Sequence, residues 1–503
     1  MITHKYYIRL FSMLICFSLL FGGQLHARII DFTLQNAIDT ALENSYQIKR
    51  LKLGIEQSRY SLKAREAGLK SQVSLNINSP DLSLLSDYQW NSTLQKDIIF
   101  RRNTLRWQSN LSVRQPLIIF GYPTNGYLSL NNTLYQYNQK MTGDDDFDTN
   151  YYSRFFFKFD QPLLQPNYLK NSYEEAELNL ERVELNYINN LTRLLNSTSY
   201  DYFNLFSLSY QNEIGANYVN NLERVAEIVK RNSEGNSDQS LEEIQVQLEL
   251  SNVREKLLEN QSDLRLEISQ VKQGLRIDSE DSLSIKTDID IKEVNVDHDQ
   301  AIQYGLNLRP TLRLLDISRR SNEIYLEEVK SSGAFKIDLS ITYGLEKRDE
   351  HYQELWEEND NSYSVSVRAY IPIWDWGKRK ANISATKTYI KQNDLSMEEN
   401  ISSIKSEITN GVKNLEEYKQ RAFNMKENME TVKQLSVASL LQFAQGMIST
   451  QDMLKILERQ NDTELNFLDS YLGYKRALIN LMVDTHYDYE NQITLIDKFN
   501  LEI

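Results

Sequence analysis

Cysteine is almost missing from this 503-residue chain: Cys16 stands alone. It falls in a short apolar run, Leu10 to Leu20, that follows Lys5 and Arg9 and precedes Leu25-His26-Ala27. A basic start, a short apolar stretch and a small-residue end make residues 1–27 a secretory signal peptide. An N-terminal membrane anchor is the alternative, but the run is short of the roughly 20 residues a span requires. Ile15 before Cys16 is unlike a lipid-attachment site. The exported chain then has no thiol, which excludes disulfides, a cysteine metal site and a cysteine nucleophile. Breakers are few, with 7 Pro and 17 Gly. That suits long helices and some strand better than an enzyme rich in glycine turns. Beyond the signal the histidines are His298, His351 and His486, far apart and in no metal-ligand spacing. There is no glycine-rich phosphate loop either, so no catalytic residue, metal or cofactor is expected. No apolar run of 18 residues follows the signal, which excludes a transmembrane helix; any passage through a membrane must use a β-barrel. Positive charge is short as well. Losing Lys5 and Arg9 takes the formal net charge from −14 to −16, which argues against a nucleic-acid partner.

What is present is a long heptad seam. Ile401, Ile404, Ile408, Gly411, Leu415, Tyr418, Ala422, Met425, Met429 and Val432 step by three and four, and no proline interrupts the run to Gly446. This spacing predicts one long helix packed on other long helices. A comparable region begins near Tyr173, with Val183, Tyr187, Leu191, Leu194, Thr198, Tyr202 and Leu205 on its seam. A break with Gly235 and a second helix to about Leu275 follow. Thr33 to about Ala67 reads as a helix. Strands are expected at 71–78, 151–162, 336–344 and 363–373, where apolar and polar residues alternate.

The chain also repeats itself. Ala301-Ile302, Leu306 and Leu312 match Ala37-Ile38, Leu42 and Ile48 at an offset of 264, and Ile337, Leu339 and Ile341 match Val73, Leu75 and Ile77. Val365, Val367 and Ala369 match Phe155, Phe157 and Phe159 at an offset of 210, and Pro372 matches Pro162. A tandem duplication is expected. The first repeat covers 28–275, a connector 276–300, the second repeat 301–485 and a C-terminal tail 486–503. Residues 79–150, extra in the first copy, are less regular, with strand-like alternation near Leu105–Val113 and Tyr127–Tyr137; whether they add strands to a barrel is open at this point.

Four strands of membrane length cannot close a barrel, and open edges in lipid cost several kcal/mol per unpaired group. Oligomerisation solves this: three chains give twelve strands. A helix from Tyr173 to Arg231 would span roughly 90 Å, too long for a small domain and suited to a tube of packed helices. The plainer alternatives are an ordinary soluble sheet and a cytoplasmic coiled coil. The signal peptide weakens the second, and the repeat of strands between helices weakens both.

Four stretches carry a resemblance. They are Leu34–Ala37, Leu308-Arg309-Pro310-Thr311-Leu312, the run Tyr370-Ile371-Pro372-Ile373-Trp374-Asp375-Trp376-Gly377-Lys378-Arg379, and Phe443-Ala444-Gln445-Gly446 followed by Asp452. The last two resemble the patterns PLFDGG+R and Y-x-x-G-x-x-x-x-x-D of the outer membrane efflux proteins, and nearly the whole exported chain takes part. The resemblance implies an α+β membrane protein: a homotrimer with a twelve-stranded β-barrel in outer membrane lipid, four strands per chain, continued by a helical periplasmic tunnel. It implies a channel of a tripartite efflux or type I secretion system, docked through a periplasmic adaptor to an inner-membrane transporter of the RND or ABC type. The alternative is a structural periplasmic tether without a pore. The turns at Gly235 and Gly446 would form the tunnel tip. There Asp452, with Asp238, Glu242 and Phe443, would line the entrance and gate it, and a threefold ring of acids would favour cations. The competing reading is that the acids only cap helices, since Ser449–Asp452 and Ser240–Glu243 both fit a capping box. Leu241 and Asn232 replace the family residues at the first tip, and Lys455 stands where some members carry an acid.

Overall fold

The computed structural model describes residues 28–141, 146, 148–233 and 239–499. The signal segment 1–27, Gly235, Asp238 and most of the acidic stretch near Asp144 lie outside the described residues. The chain divides into two units. A helical unit comprises residues to Lys49, Ile188–Arg309 and the chain from Ser403; a sheet unit comprises Arg50–Tyr187 and Pro310–Ser402.

In the sheet unit, β2 (Gln72–Asn91), β3 (Lys96–Ile119), β4 (Tyr122–Met141), β5 (Asp148–Leu163), β7 (Lys336–Asp349) and β8 (Asp360–Tyr370) form one antiparallel sheet in that order. The expectation of four strands per chain is corrected. Residues 79–150 supply β3 and β4, which pair with each other from Arg102–Met141 to Ile119–Tyr122 and hold β2 and β5 apart. The alternation near Leu105–Val113 and Tyr127–Tyr137 marks their middles; their full extent is hidden because Arg101 and Arg102 interrupt the pattern and a bulge between Asn78 and Asp81 shifts the phase of β2. The strand expected at 363–373 ends at Tyr370, before Pro372, which has no N–H to give a ladder. Among the described residues the sheet is open, with β2 and β8 at its edges.

The register gives the sheet two unlike faces. One row runs Val73, Val113, Leu130, Phe157, Tyr343, Tyr363 across all six strands. The opposite face carries a polar lattice. Arg154 pairs with Glu346 at 3.0 Å, and Glu346 accepts from Tyr152 and Ser362, each at 2.6 Å. The Arg106 and Arg114 guanidiniums lie over the rings of Tyr135 and Tyr127 at 4.6 and 3.6 Å. Such alternation is what a strand between lipid and water requires.

The helical unit is built on the seams. Ile404, Ile408, Leu415, Ala422 and Val432 of α7 (Lys378–Ala444) are buried. So are Tyr187, at the end of the sheet unit, and Leu191, Thr198 and Leu205 of α3 (Tyr168–Ser233). The expected Thr33–Ala67 helix is two, α1 (Leu34–Asn44) and α2 (Tyr46–Gly68), because Ser45 turns extended. The second half breaks likewise between α5 (His298–Asn307) and α6 (Pro310–Ser331), where Pro310 disfavours a helical residue before it. The short strand β1 (Ile29–Asp31) pairs in parallel with β6 (Ser282–Ser284) of the connector. Further along the connector, the Tyr474 hydroxyl donates to Lys292 O at 2.8 Å and accepts from Val294 N at 3.1 Å. Tyr474 belongs to α8 (Thr450–Thr485), which packs closely on its neighbours. A Cβ at Gly473 would come within 2.5 Å of the Tyr418 ring on α7. The tail adds a small β9–β10 ladder (Tyr487–Asp488 with Ile493–Thr494) and α9 (Leu495–Lys498).

Candidate functional site

The turn between α7 and α8 is set by glycine. Gly446 adopts φ +72°, and its N–H donates to Phe443 O at 2.9 Å while Met447 N donates to Gln442 O at 3.0 Å. This ends α7 in the way helices commonly end, with a left-handed residue closing the last carbonyls. Three residues on, Ser449 starts α8. Its Oγ accepts from Asp452 N at 3.1 Å and donates to Asp452 Oδ2 at 2.6 Å. Asp452 is thus an exposed acid locked into a capping pair, in the first turn of α8, where the helix dipole favours negative charge.

Glu242 occupies the equivalent first turn of α4 (Gln239–Leu275) and accepts from the buried Thr450 hydroxyl at 2.6 Å. The structure therefore brings Asp452 and Glu242 to neighbouring helix starts, tied by Ser449 and Thr450. Nothing in the sequence pattern pointed to Thr450, because its partner lies 208 residues away. Phe443 takes a different place: it is 5 % exposed, in a cluster with Leu222, Val225, Val246, Met453 and Leu457. The hydroxyl of Tyr218, at the edge of this cluster, donates to Glu249 at 3.1 Å; burial and that carboxylate push its pKa far up.

Away from the tip, the turn after β7 gathers Asp349, His351 and Glu354, with ligand-type atoms within 4.8 Å of one another. The sequence spacing had set His351 apart from any such group. His351 N donates to Asp349 Oδ1 at 2.9 Å, so a local turn accounts for two of the three. Among the described residues no helix is long and apolar enough to cross a membrane.

No protein-family model matches this sequence, and no curated protein matches it. Solved structures do. The chain is similar to the Campylobacter jejuni CmeC outer membrane channel, with 11% identity over 95% of this chain and 93% of that one and a TM-score of 0.63. It is similar to the outer-membrane channel OprN, with 12% identity over 90% and 89% and a TM-score of 0.62. It is similar to CusC, described as forming a transmembrane channel, with 14% identity over 92% and 95% and a TM-score of 0.61. These proteins share the TolC-like outer membrane channel fold, and this chain has that fold.

Proposed function

We propose that the chain is one subunit of a trimeric outer membrane channel that passes cargo from an inner-membrane transporter to the cell exterior. The observation that carries this reading is the sheet: one face apolar across six strands, the other polar, on a fold otherwise found in outer membrane channels. An apolar face next to open edges is untenable in water and incomplete in lipid, so the sheet calls for both a membrane and further copies. The end of the sheet at which the long helices join its strands fits a membrane interface. Trp374 and Trp376 follow β8 there, and Trp376 holds a left-handed φ of +56° at a position where the family pattern has glycine. A bulky residue in that conformation is costly, about 1–2 kcal/mol, which argues for a use of the indole such as anchoring in headgroups.

In this reading the chain performs no chemistry. A periplasmic adaptor joins the helical tip to an RND or ABC transporter, which supplies the energy. The repeat read from the sequence assigns a tip turn to Gly235 as well as to Gly446, and Asp452 and Glu242 contribute negative charge to the entrance. Asp238 is assigned to the same ring on its position in the sequence, whereas Phe443 supports the tip from within its core.

The test is direct. Outer membranes carrying the protein are extracted in mild detergent, run unboiled and reconstituted in planar bilayers. A heat-sensitive trimer with discrete conductance steps is expected. A protein that fractionates with soluble periplasm, or a membrane-bound one without conductance, would favour the tether.

A further inference from the structure

We propose that all six strands of each chain enter the membrane, so that three chains close a barrel of eighteen strands rather than twelve. The proposal rests on the channel reading above. Its first support is register. The apolar row from Val73 to Tyr363 is flanked by two mostly apolar rows: Gln115, Leu128, Phe159, Ile341 and Val365 in one direction, and Leu75, Leu111, Asn132, Phe155, Leu345 and Asn361 in the other. The central row crosses β3 and β4 at Val113 and Leu130, with Leu111 and Leu128 beside it and Asn132 as a polar interruption. On β3 the same face carries Leu105, Trp107, Leu111 and Val113, broken by Ser109, over roughly 26 Å of extended chain, the length of a tilted barrel strand's apolar band. A hairpin lying outside the membrane has no need to match this band.

The second support is the turn between β3 and β4. Phe120 there is 96 % exposed, at the same end of the sheet as Leu164 and Trp376. The hairpin therefore reaches the level at which the other strands present their exposed apolar residues.

The third support is the edges, which commit the occupant to a second copy of this chain. Strand direction alternates through all six strands, so β8 of one copy and β2 of the next meet antiparallel, as closure requires. Val73, Leu75 and Ile77 on β2 and Tyr363, Val365 and Val367 on β8 lie on the same face. They are 59–84 % exposed, whereas Leu130 and Phe157 on interior strands are 38 % and 42 % exposed. On the other face the two edges offer uncharged residues over this stretch, Ser74 and Asn76 on β2 and Ser362, Ser364 and Ser366 on β8, so no like charges oppose the joint there. Barrel diameter grows roughly in proportion to strand number, making this ring about half again as wide as one of twelve strands. Its outer mouth accordingly passes bulkier cargo.

Engineered cysteines test the joint against no thiol background, because Cys16 lies in the signal segment. Ser364→Cys is combined in turn with Ser74→Cys, Asn76→Cys and Asn78→Cys, and the membranes are oxidised. A covalent trimer on non-reducing gels is expected from at least one pair. The control combines Ser364→Cys with Asn131→Cys or Thr133→Cys on β4, which becomes the edge if β2 and β3 stay outside. A single-particle reconstruction of the unmodified protein in nanodiscs then counts strands independently of any variant. Eighteen strands establish the proposal. Twelve strands, or a trimer cross-linked through β4, overturn it and leave the channel reading standing. A protein that neither enters membranes nor forms trimers overturns both.

Discussion

At the scale of single residues, Asp452 holds two roles that can be separated. Its carboxylate binds the Ser449 hydroxyl, and its charge stands at the start of α8. Asp452→Asn keeps an acceptor there and removes the charge. Reversal potentials measured in a salt gradient across planar bilayers should shift towards lower cation selectivity, with the melting temperature little changed. Unchanged selectivity would leave Asp452 as a cap alone. Ser449→Ala should do the opposite, costing about 1 kcal/mol of stability with selectivity kept. His486 gives a pH prediction. It caps α8 at φ +54°, its Nδ1 has no hydrogen-bond partner among the described residues, and burial, with the Arg309 charge, lowers its pKa to about 4. Between that value and the ordinary 6.5 the unfolded chain binds a proton that the folded chain refuses. Stability therefore falls as pH drops from about 6.5 to about 4, by roughly 2–3 kcal/mol at full extent. Asp484 works the other way, its carboxyl pushed up by burial and by Glu407 against the pull of Arg309. His486→Asn keeps a residue type that tolerates the left-handed conformation and removes the titration. Thermal melts at pH 7 and pH 5 should differ less for this variant than for the parent; an equal difference would assign the acid sensitivity elsewhere.

At the scale of elements, the seams show why some features were legible and others were not. The 3.5-residue period of α7 can be read directly, and Ile404, Ile408, Leu415, Ala422 and Val432, which it selects, are buried, with Tyr418, Met425 and Met429 half-buried between them. The break before α6 is signalled by Pro310, whereas Ser45 gives no comparable signal before α2. The middles of β3 and β4 show in the alternation near Leu105–Val113 and Tyr127–Tyr137, whereas their ends were obscured by the adjacent Arg101 and Arg102 and by the bulge in β2. At the tip, the Ser449–Asp452 cap is local and could be read from four residues, while Thr450–Glu242 is a product of tertiary folding. The burial of Phe443 was hidden because a motif position and a core position look alike in one sequence. Two variants probe this level. Phe443→Ala should empty part of the tip core and cost roughly 3–5 kcal/mol. Gly473→Ala should force Tyr418 aside and cost about 1–3 kcal/mol. Both are read as lowered melting temperatures. If Phe443→Ala left stability intact but altered gating, the side chain would belong to the lumen instead.

At the scale of the whole molecule, the six-stranded sheet is incomplete. The apolar face spans six strands, the chain has no transmembrane helix among its described residues, and both sheet edges are open. Each fact is unfavourable for an isolated chain in water, and together they are resolved by a closed barrel of several copies in lipid. The TolC-like fold agrees with that resolution at the level of architecture. The central claim is that this protein conducts. Single-channel recording of the purified, unboiled oligomer in planar bilayers measures it most directly. The account predicts stepwise conductance that disappears when the sample is heated to monomers. An oligomer that inserts stably and passes no current would contradict it.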